Sequence, residues 1–502
     1  MAAAPAPSTG LIRYGTPAAR WILLGTILGS GMALLDGTVV NVALPTIGRD
    51  FNAPLADLQW TVNAYTLTLA GFLLLGGSLG DHFGRRRLFV IGVVWFAAGS
   101  LLCGLAPSTG ALIAARAFQG IGAALLTPAS LAIIEATFEP DGRGAAIGAW
   151  SGLGGVAAAI GPFVGGWLVS AVSWRLVFFI NLPLAVLTAW VAIRHIPETR
   201  NEQMRTLRLD IAGAALAALG LAGVTYALTE AQGGTSGSAA VALAAVVGVA
   251  ALAGFVVRER KTDHPLIPLG LFSSLQFTAA NAVTFLVYAA LGAALFLIPI
   301  ELQQVLGYTP TRAGLALVPQ TLVMLVLSSR AGALAERVGP RLPMTVGPLV
   351  AGLGLIMLVR VGPDSSYAAD ILPAVLVFGL GLAITVAPLT SAVLAAGSEE
   401  NAGVSSAVNN DVARVAGLIA VAVVPLVAGL SGDSYRHPAA FNHGFHVGVV
   451  LCGALCIAGG LLAYATIRRA ARPAVRAEPA SYCAIGAPPL LRGDTAVAAD
   501  RA

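Results

Sequence analysis

Apolar residues run in long blocks along this chain, and short polar or charged segments separate the blocks. Fourteen blocks are about 20 residues or longer, enough for a helix to cross a hydrocarbon core of roughly 30 Å. Membrane strands are excluded, because no block alternates apolar with polar residues. The blocks are 21–45, 58–79, 88–106, 110–134, 145–170, 174–195, 210–229, 238–257, 274–300, 312–332, 342–360, 371–396, 402–430 and 445–467. The pattern predicts an all-α polytopic membrane protein with 14 transmembrane helices, numbered helix 1 to helix 14.

The composition agrees with this interpretation. The chain is 57% hydrophobic and 11% charged, and its mean hydropathy is +0.83. Soluble domains carry roughly a quarter charged residues, so the bilayer must solvate most of this apolar surface. The net charge of +5 does not indicate nucleic-acid binding, because the basic residues are spread thinly between apolar blocks. Arginine outnumbers lysine 28 to 1, which is typical of a high-GC bacterium.

The basic residues also predict the orientation in the membrane. If the N-terminus is cytoplasmic, the cytoplasmic segments hold 22 of the 29 Lys and Arg residues, and the outer loops hold 5. Cytoplasmic loops of membrane proteins carry an excess of Lys and Arg. We therefore expect a multi-pass protein of the cell membrane with both termini in the cytoplasm.

A ten-residue pattern occurs twice. GSLGDHFGRR (77–86) and GALAERVGPR (332–341) share Gly-x-Leu-x-acid-x-x-Gly-x-Arg, and each follows the second helix of a six-helix block. Two parallel halves around a central path are typical of transporters. The predicted organisation is a cytoplasmic N-terminal tail (1–20), an N-terminal six-helix bundle (21–195), a cytoplasmic linker (196–209), two inserted helices (210–257), a second cytoplasmic linker (258–273), a C-terminal six-helix bundle (274–467) and a disordered cytoplasmic tail (468–502).

Four stretches resemble the major facilitator superfamily, and within it the fourteen-helix drug:proton antiporters. They are LDGTVVNVALPTI (35–47) in helix 1, GGSLGDHFGRRRL (76–88) between helices 2 and 3, LIAARAFQGIGAA (112–124) in helix 4 and GPFVGG (161–166) in helix 5. Together with the topology, the resemblance covers residues 20–467. It implies the major facilitator fold and export of drugs or antibiotics in exchange for protons, with no cofactor besides the proton gradient.

The turn between helices 2 and 3 is a candidate cytoplasmic gate. Its glycines, which allow close approach and a sharp turn, are Gly77, Gly80 and Gly84. We expect Asp81 to lie near a neighbouring helix N-terminus, where the helix dipole favours an anion. Arg85 and Arg86 can pair with carboxylates across the cytoplasmic seam and hold it closed in one conformation. The alternative is a loop that serves only to fix the orientation of the protein in the membrane. Such a loop would need the arginines but neither the glycine spacing nor the acid.

Asp36 in helix 1 and Arg116 in helix 4 are candidate proton-coupling residues, because ionisable groups inside membrane helices are costly. At 1.5 Å per residue, Asp36 lies about 24 Å above the inner face and Arg116 about 7 Å below the outer face. We expect them to face each other or to share a water-filled cavity. The resemblance assigns coupling to both, with protonation of Asp36 releasing the pair. The alternative is a static buried ion pair.

Helix 5 and helix 13 carry two further candidate sites. Small residues in helix 5 permit close packing, and a proline bends the helix. The resemblance assigns antiport to its residues Gly161, Pro162, Gly165 and Gly166, although the first glycine of the family pattern falls at Ala157. In helix 13, Asp411 and Arg414 lie on one face near the midplane. Asp411 is a candidate second proton or cation site, or half of a self-neutralised pair.

The leading interpretation is a proton-coupled exporter of small amphipathic or cationic drugs. The alternatives are a dedicated exporter of one self-made metabolite or antibiotic, and a non-coupled solute transporter.

No nucleotide-binding pattern G-x-x-x-x-G-K-[ST] and no catalytic constellation appear, so we expect neither an ATP-driven pump nor an enzyme. The expected partners are a small-molecule substrate, protons and membrane lipid, but no nucleic acid, and the protein is expected to work as a monomer. Candidate substrate-binding residues are Asn41, Tyr65, Asn281, Phe285, Gln320 and Asn410.

Overall fold

The computed structural model describes residues 11–200, 209–231, 237–263, 265–396 and 402–467. Parts of the expected N-terminal tail (1–20) and of the first linker (196–209) lie outside the described residues. The tail 468–502, expected to be disordered, lies wholly outside them.

Fourteen helices among the described residues are long and apolar enough to cross a membrane, which confirms the predicted number and the all-α class. They are α1 (Pro17–Asp50), α2 (Leu55–Phe83), α3 (Arg85–Gly104), α4 (Thr109–Thr137), α5 (Pro140–Ala171), α6 (Leu176–His195), α7 (Ile211–Glu230), α8 (Ser238–Lys261), α9 (Leu275–Gln304), α10 (Pro310–Val338), α11 (Arg341–Met357), α12 (Leu372–Ala396), α13 (Ala402–Val427) and α14 (Pro438–Thr466). A 3₁₀ turn continues α11 to Arg360, and a π turn precedes α12.

Several helices extend past the apolar blocks that predicted them. Helix α1 continues to Asp50, and α14 begins at Pro438, a residue suited to the first helical turn because its missing N–H needs no partner there. Hydrogen bonding within a helix does not stop at the membrane surface. Hydropathy alone therefore predicts these helices to be shorter than they are.

Helix α6 is interrupted near its outer end. It consists of Leu176–Phe179 and Asn181–His195, with a break at Ile180. Pro183 follows the break and has no N–H to donate to the carbonyl of Phe179 one turn earlier. The neighbouring carbonyl of Phe178 accepts a hydrogen bond from the Ser100 hydroxyl of α3 at 2.8 Å. This break fixes the position of Asn181.

The two six-helix halves pack in the same way. In the N-terminal half, α4 packs against α2 and α3, α1 packs against α5 and α6, and α3 packs against α6. Adding eight to each number gives the principal pairs of the C-terminal half: α12 with α10 and α11, α9 with α13 and α14, and α11 with α14. Between the halves, α5 packs against α10 and α2 against α13, which are again equivalent pairs. The internal repeat predicted from the ten-residue pattern is therefore present in the helix packing.

Hydrogen bonds between the halves cluster at the end that the charge pattern places outside the cell. The Gln59 side chain of α2 donates to the carbonyl of Val421 in α13 at 2.7 Å. The Gln303 side chain of α9 donates to the carbonyl of Val42 in α1 at 2.9 Å. These bonds help to close the outer end of the seam.

A short 3₁₀ turn, Ser434–Arg436, completes this closure. We call its residues Tyr435 and Arg436 the outer clamp, because they bond to the turn between α1 and α2. The buried Tyr435 hydroxyl donates to the carbonyl of Ala53 at 2.7 Å. Arg436 donates to Asn52 Oδ1 at 2.6 Å and to the carbonyls of Ala53 at 3.1 Å and Gly48 at 3.3 Å.

The two inserted helices pair with each other and pack on both halves. Gly223 of α7 and Gly248 of α8 lie against each other, so their backbones approach closely. Helix α7 also packs on α2 and α13. At Gly71 of α2, a Cβ would lie 2.8 Å from the Cβ of Ala218, so glycine is needed there for α7 to approach.

Candidate functional site

The structure brings Asp36 and Arg116 into direct contact. Arg116 Nη1 lies 2.5 Å from Asp36 Oδ2, and both side chains are about 1% exposed or less. The other carboxylate oxygen, Oδ1, accepts hydrogen bonds from Gln119 Nε2 at 2.9 Å and from Asn181 Nδ2 at 3.0 Å. Both oxygens of the buried carboxylate therefore have donors.

Arg116 is held by more than its ion pair. It donates from Nε to the carbonyl of Thr61 at 3.1 Å and from Nη1 to Gln119 Oε1 at 2.7 Å. Its guanidinium lies 4.2 Å from the centre of the Tyr65 ring and 5.7 Å from that of Phe178. The aromatic faces stabilise the cation in surroundings that exclude water.

Gln119, Asn181 and Ser100 belong to this network, although the sequence analysis did not select them. Asn181 donates to Ser100 Oγ at 2.9 Å as well as to Asp36. Gln119 follows Arg116 by three residues and so shares its helix face, a signal that was available in the sequence. Asn181 is a lone amide in an apolar helix, and only the break in α6 aims it at Asp36.

We call Asp36, Arg116, Gln119, Asn181 and Ser100 the Asp36 network. An ionised carboxylate is purely an acceptor, and three donors on two oxygens match that form. A proton arriving at Asp36 would remove the negative charge that holds Arg116, so the arrangement can respond to protonation by rearranging. The coupling role of Asp36 and Arg116 stays a prediction.

The candidate cytoplasmic gate bonds within the N-terminal half. Arg85 pairs with Asp81 at 2.7 Å and donates to the carbonyl of Ala132 in α4. Arg86 pairs with Glu198, which lies after α6, at 3.6 Å. Glu198 also accepts from the backbone N–H groups of Arg86 and Arg87 at the start of α3. Asp81 belongs to the N-terminal half and Glu198 to the linker segment directly after it, so the described residues do not show the expected pairing with the C-terminal half across the seam.

The glycines of this turn differ in what they do. Gly84 has a φ of 111°, which strongly favours glycine, and a Cβ there would meet the Glu198 carboxylate at 2.6 Å. Gly77 and Gly80 have room, because a Cβ would make ordinary contacts with Pro128 and Leu88. The sharp turn therefore depends on Gly84, whereas the other two positions tolerate a small side chain.

The small residues of α5 form a double interface. Gly161 and Gly165 lie against α1, where added methyl groups would overlap Thr38 and Val39. Gly166 lies against the backbone of Pro310 in α10, and its carbonyl accepts from Thr311 Oγ1 at 3.1 Å. Pro162 lies inside α5, and its carbonyl lies against Gly314 of α10. Helix α5 thus connects the helix that carries Asp36 to the opposite half.

Asp411 and Arg414 of α13 do not form an ion pair in the described structure, although they share a helix face. Asp411 Oδ1 and Arg414 Nε are buried without a hydrogen-bond partner. The two side chains therefore form no contact ion pair among the described residues, and the role of Asp411 stays a prediction.

The candidate substrate residues have different surroundings, and their role in binding stays a prediction. Tyr65 contacts the Asp36 network, and Asn41 is buried with its Oδ1 unpaired. Asn281 Oδ1 accepts from Asn409 Nδ2 at 3.1 Å. Asn410, which the sequence analysis selected, is exposed and bonds within its own helix to the carbonyl of Ser406 at 3.0 Å.

The two remaining candidates are Gln320 and Phe285. Gln320 is buried in α10 with its Oε1 unpaired, and Phe285 lines a cavity that also contains Asp411. Among the described residues no group of three His, Cys, Asp or Glu side chains is placed to hold a metal ion.

Comparisons with known proteins agree with the fold. The family model described as Major Facilitator Superfamily matches residues 26–422. The puromycin resistance protein pur8 of Streptomyces alboniger is 36% identical over 462 residues, which cover 89% of this chain and 91% of that protein. The multidrug resistance protein Stp of Mycobacterium tuberculosis is 36% identical over 421 residues, which cover 83% of this chain and 77% of that protein.

A solved structure has the same fold at low sequence identity. It is a bacterial homologue of the human lysosomal transporter Spinster in an inward-facing, unoccupied conformation, with a TM-score of 0.63 and 16% identity. The match covers 90% of this chain and 97% of that chain. The relatives are antibiotic resistance and export proteins of the drug:proton antiporter type, as the four stretches predict. This chain is a multi-pass membrane transporter that belongs to the Major Facilitator Superfamily.

Proposed function

We propose that this protein is a proton-coupled antiporter that exports small amphipathic or cationic molecules across the cell membrane by alternating access. Both termini would lie in the cytoplasm, and the proton gradient would drive the cycle without a bound cofactor. The observation that carries the proposal is the Asp36 network: a carboxylate buried inside the N-terminal half, with an arginine on one oxygen and two amide donors on the other.

The network supports a role in coupling because four neighbouring helices meet α1 there. The Thr61 carbonyl comes from α2, Ser100 from α3, Arg116 from α4 and Asn181 from α6. Protonation of Asp36 would weaken its bonds to Arg116 and to the amides. A change in one bond pattern would then alter how α1 packs against several neighbours at once.

Helix α5 offers a route from this network to the other half. It packs closely on α1 through Gly161 and Gly165, and on α10 through Gly166. A shift of α1 would move α5 and thereby change the α5–α10 contact, which helps to close the outer end. In the proposed cycle, Asp36 takes a proton from outside as substrate leaves. It gives the proton up to the cytoplasm before substrate binds again.

A second candidate function is export of one dedicated antibiotic or metabolite by the same mechanism. The similarity to a protein named for puromycin resistance favours it. The two candidates share the Asp36 network and differ only in the range of molecules that the protein accepts.

Transport into inside-out membrane vesicles tests the proposal. With an imposed proton gradient, we expect wild-type vesicles to accumulate ethidium, and Asp36→Asn vesicles to lose that transport. Asp364→Asn, which changes an exposed loop carboxylate, is the matched control and should transport normally. Puromycin accumulation without ethidium accumulation would favour the dedicated exporter. Equal transport by wild type and Asp36→Asn would refute the coupling role of Asp36.

A further inference from the structure

A lateral cavity lies between the inserted helices and the two halves. Its volume is about 220 Å³, and residues of α2, α7, α8, α9, α13 and the segment before α9 line it. Of the described residues that line it, Asp411 alone carries a polar side chain; the others are glycine, alanine, aliphatic residues and phenylalanines. We call this space the lateral cavity. It is separate from the Asp36 network and shares no residue with it.

The carboxylate of Asp411 lacks a counter-charge at contact distance. Its Oδ1 is buried without a hydrogen-bond donor, and it forms none of the ion pairs of the described residues. Arg414, three residues further along the same helix, is not among these ion pairs and does not line the cavity. A buried carboxylate oxygen without a donor is costly, so a cation placed beside Asp411 would be stabilised.

The inserted helices provide one side of the cavity. Ala217 of α7 and Leu252 and Phe255 of α8 line it. Ala70, Leu221 and Leu418 form a small apolar cluster where α2, α7 and α13 meet. Without α7 and α8, Asp411 would face the surroundings of the α2–α13 seam instead of an enclosed apolar space.

We propose that the lateral cavity binds a small monovalent organic cation with an apolar body. Asp411 is its charge partner, and α7 and α8 form the wall that encloses it. The volume equals that of about seven water molecules at roughly 30 Å³ each, enough for a bicyclic aromatic cation. Phe255, Phe272 and Phe285 offer aromatic faces to such a ligand. The inference rests on the proposed export of amphipathic cations and gives the inserted helices a part in binding them.

The test uses the full-length protein in lipid nanodiscs and N-methylquinolinium as the ligand. Equilibrium dialysis against empty nanodiscs gives the dissociation constant. Asp411→Asn keeps the size of the side chain and removes its charge, and should weaken binding about tenfold or more. Ala217→Phe fills the cavity from α7 and should abolish binding. Leu243→Phe is the matched control, because Leu243 is 64% exposed on the face of α8 opposite Leu252 and should leave binding unchanged.

The outcomes separate this inference from the proposed function. Binding that is weakened about tenfold or more in Asp411→Asn and lost in Ala217→Phe, with normal binding in Leu243→Phe, supports the inference. Equal binding in wild type and Asp411→Asn overturns it, and so does a wild-type protein that binds no N-methylquinolinium. Proton-driven efflux in vesicles is measured independently of ligand binding. If efflux persists although one of these two binding results overturns the lateral site, the antiporter proposal still holds.

Discussion

Removing the guanidinium of the outer clamp should shift the protein toward conformations that open outward. In the structure, Arg436 ties the C-terminal half to the α1–α2 turn through Asn52 Oδ1 and the carbonyls of Ala53 and Gly48. These bonds must break when the outer end opens. Arg436→Ala removes them from the closed conformation and changes nothing in an open one.

The magnitude follows from the number and geometry of these bonds. Two are short, at 2.6 and 3.1 Å, and the third is 3.3 Å. A net hydrogen bond contributes about 0.5–1.5 kcal/mol, and the partly exposed position of Arg436 favours the lower part of that range. We expect a total of about 2 kcal/mol, which changes the ratio of outward to inward conformations about 30-fold.

The clamp should not depend on pH in the physiological range. Burial raises the pKa of the Tyr435 phenol above its ordinary value of 10.0. The phenol therefore stays protonated in the physiological range, so the stability contributed by its hydrogen bond to Ala53 is fully present below pH 10.0 and is lost as the pH rises from there through the raised pKa. The difference between Arg436→Ala and wild type should therefore be the same at pH 6 and pH 8.

Distances between spin labels on the outer surface measure this shift. Val172 in the loop before α6 and Asp364 in the loop before α12 are exposed on opposite halves, and cysteines there accept labels. We expect a second, longer distance to appear in Arg436→Ala. Arg312→Ala is the control, because the Arg312 guanidinium lies over Tyr308 in its own half. If Arg436→Ala gave the same distances as Arg312→Ala and wild type, the outer clamp would not hold the ends together.

Three further predictions concern other contacts. Asn181→Ala removes one of three donors to the Asp36 carboxylate, a loss of about 1.5–3 kcal/mol, and should reduce proton-driven efflux roughly tenfold or more at unchanged protein level. Gly166→Leu would overlap the Pro310 backbone and should raise the outward population in the spin-label measurement, whereas Gly148→Leu, in open space on the same helix, should not. Glu198→Ala removes the carboxylate that accepts from the start of α3 and should lower the free energy of unfolding by about 1–2 kcal/mol in thermal denaturation.

The helices could be predicted from the sequence because hydropathy determines which segments enter a bilayer. All fourteen were found, and the superfamily is confirmed by the match to residues 26–422. The helix ends were less predictable, since polar turns extend α1 and α14 beyond the apolar blocks. The domain boundaries stay predictions, as does the cytoplasmic location of the termini.

The candidate site was only partly predictable. The depths of Asp36 and Arg116 placed them at one level, because rise per residue is constant along a helix. Rotation about the helix axis is set by tertiary packing, so depth could not show that Asn181 points at Asp36. The same limit explains the choice of Asn410 over Asn409: the neighbouring amides differ by about 100° around α13. Only Asn409 reaches Asn281.

Pairing between charged residues was the least predictable feature. Spacing allowed Asp411 and Arg414 to pair, but they form no ion pair in the described structure, and Asp411 lines the lateral cavity. The partner of Arg86 is Glu198, 112 positions along the chain. Such contacts depend on which conformation the transporter adopts. The same sequence adopts every conformation of the cycle, so it does not show which pairs form in any one of them.

Proton release on substrate binding tests the central claim, that Asp36 carries the exchanged proton, most directly. Purified protein in a weakly buffered detergent solution with a pH indicator is mixed with the molecule that the vesicles transport. The account predicts that wild type releases protons on binding and that Asp36→Asn binds the same molecule without releasing them. Equal proton release from Asp36→Asn would contradict the account and move the coupling site elsewhere in the protein.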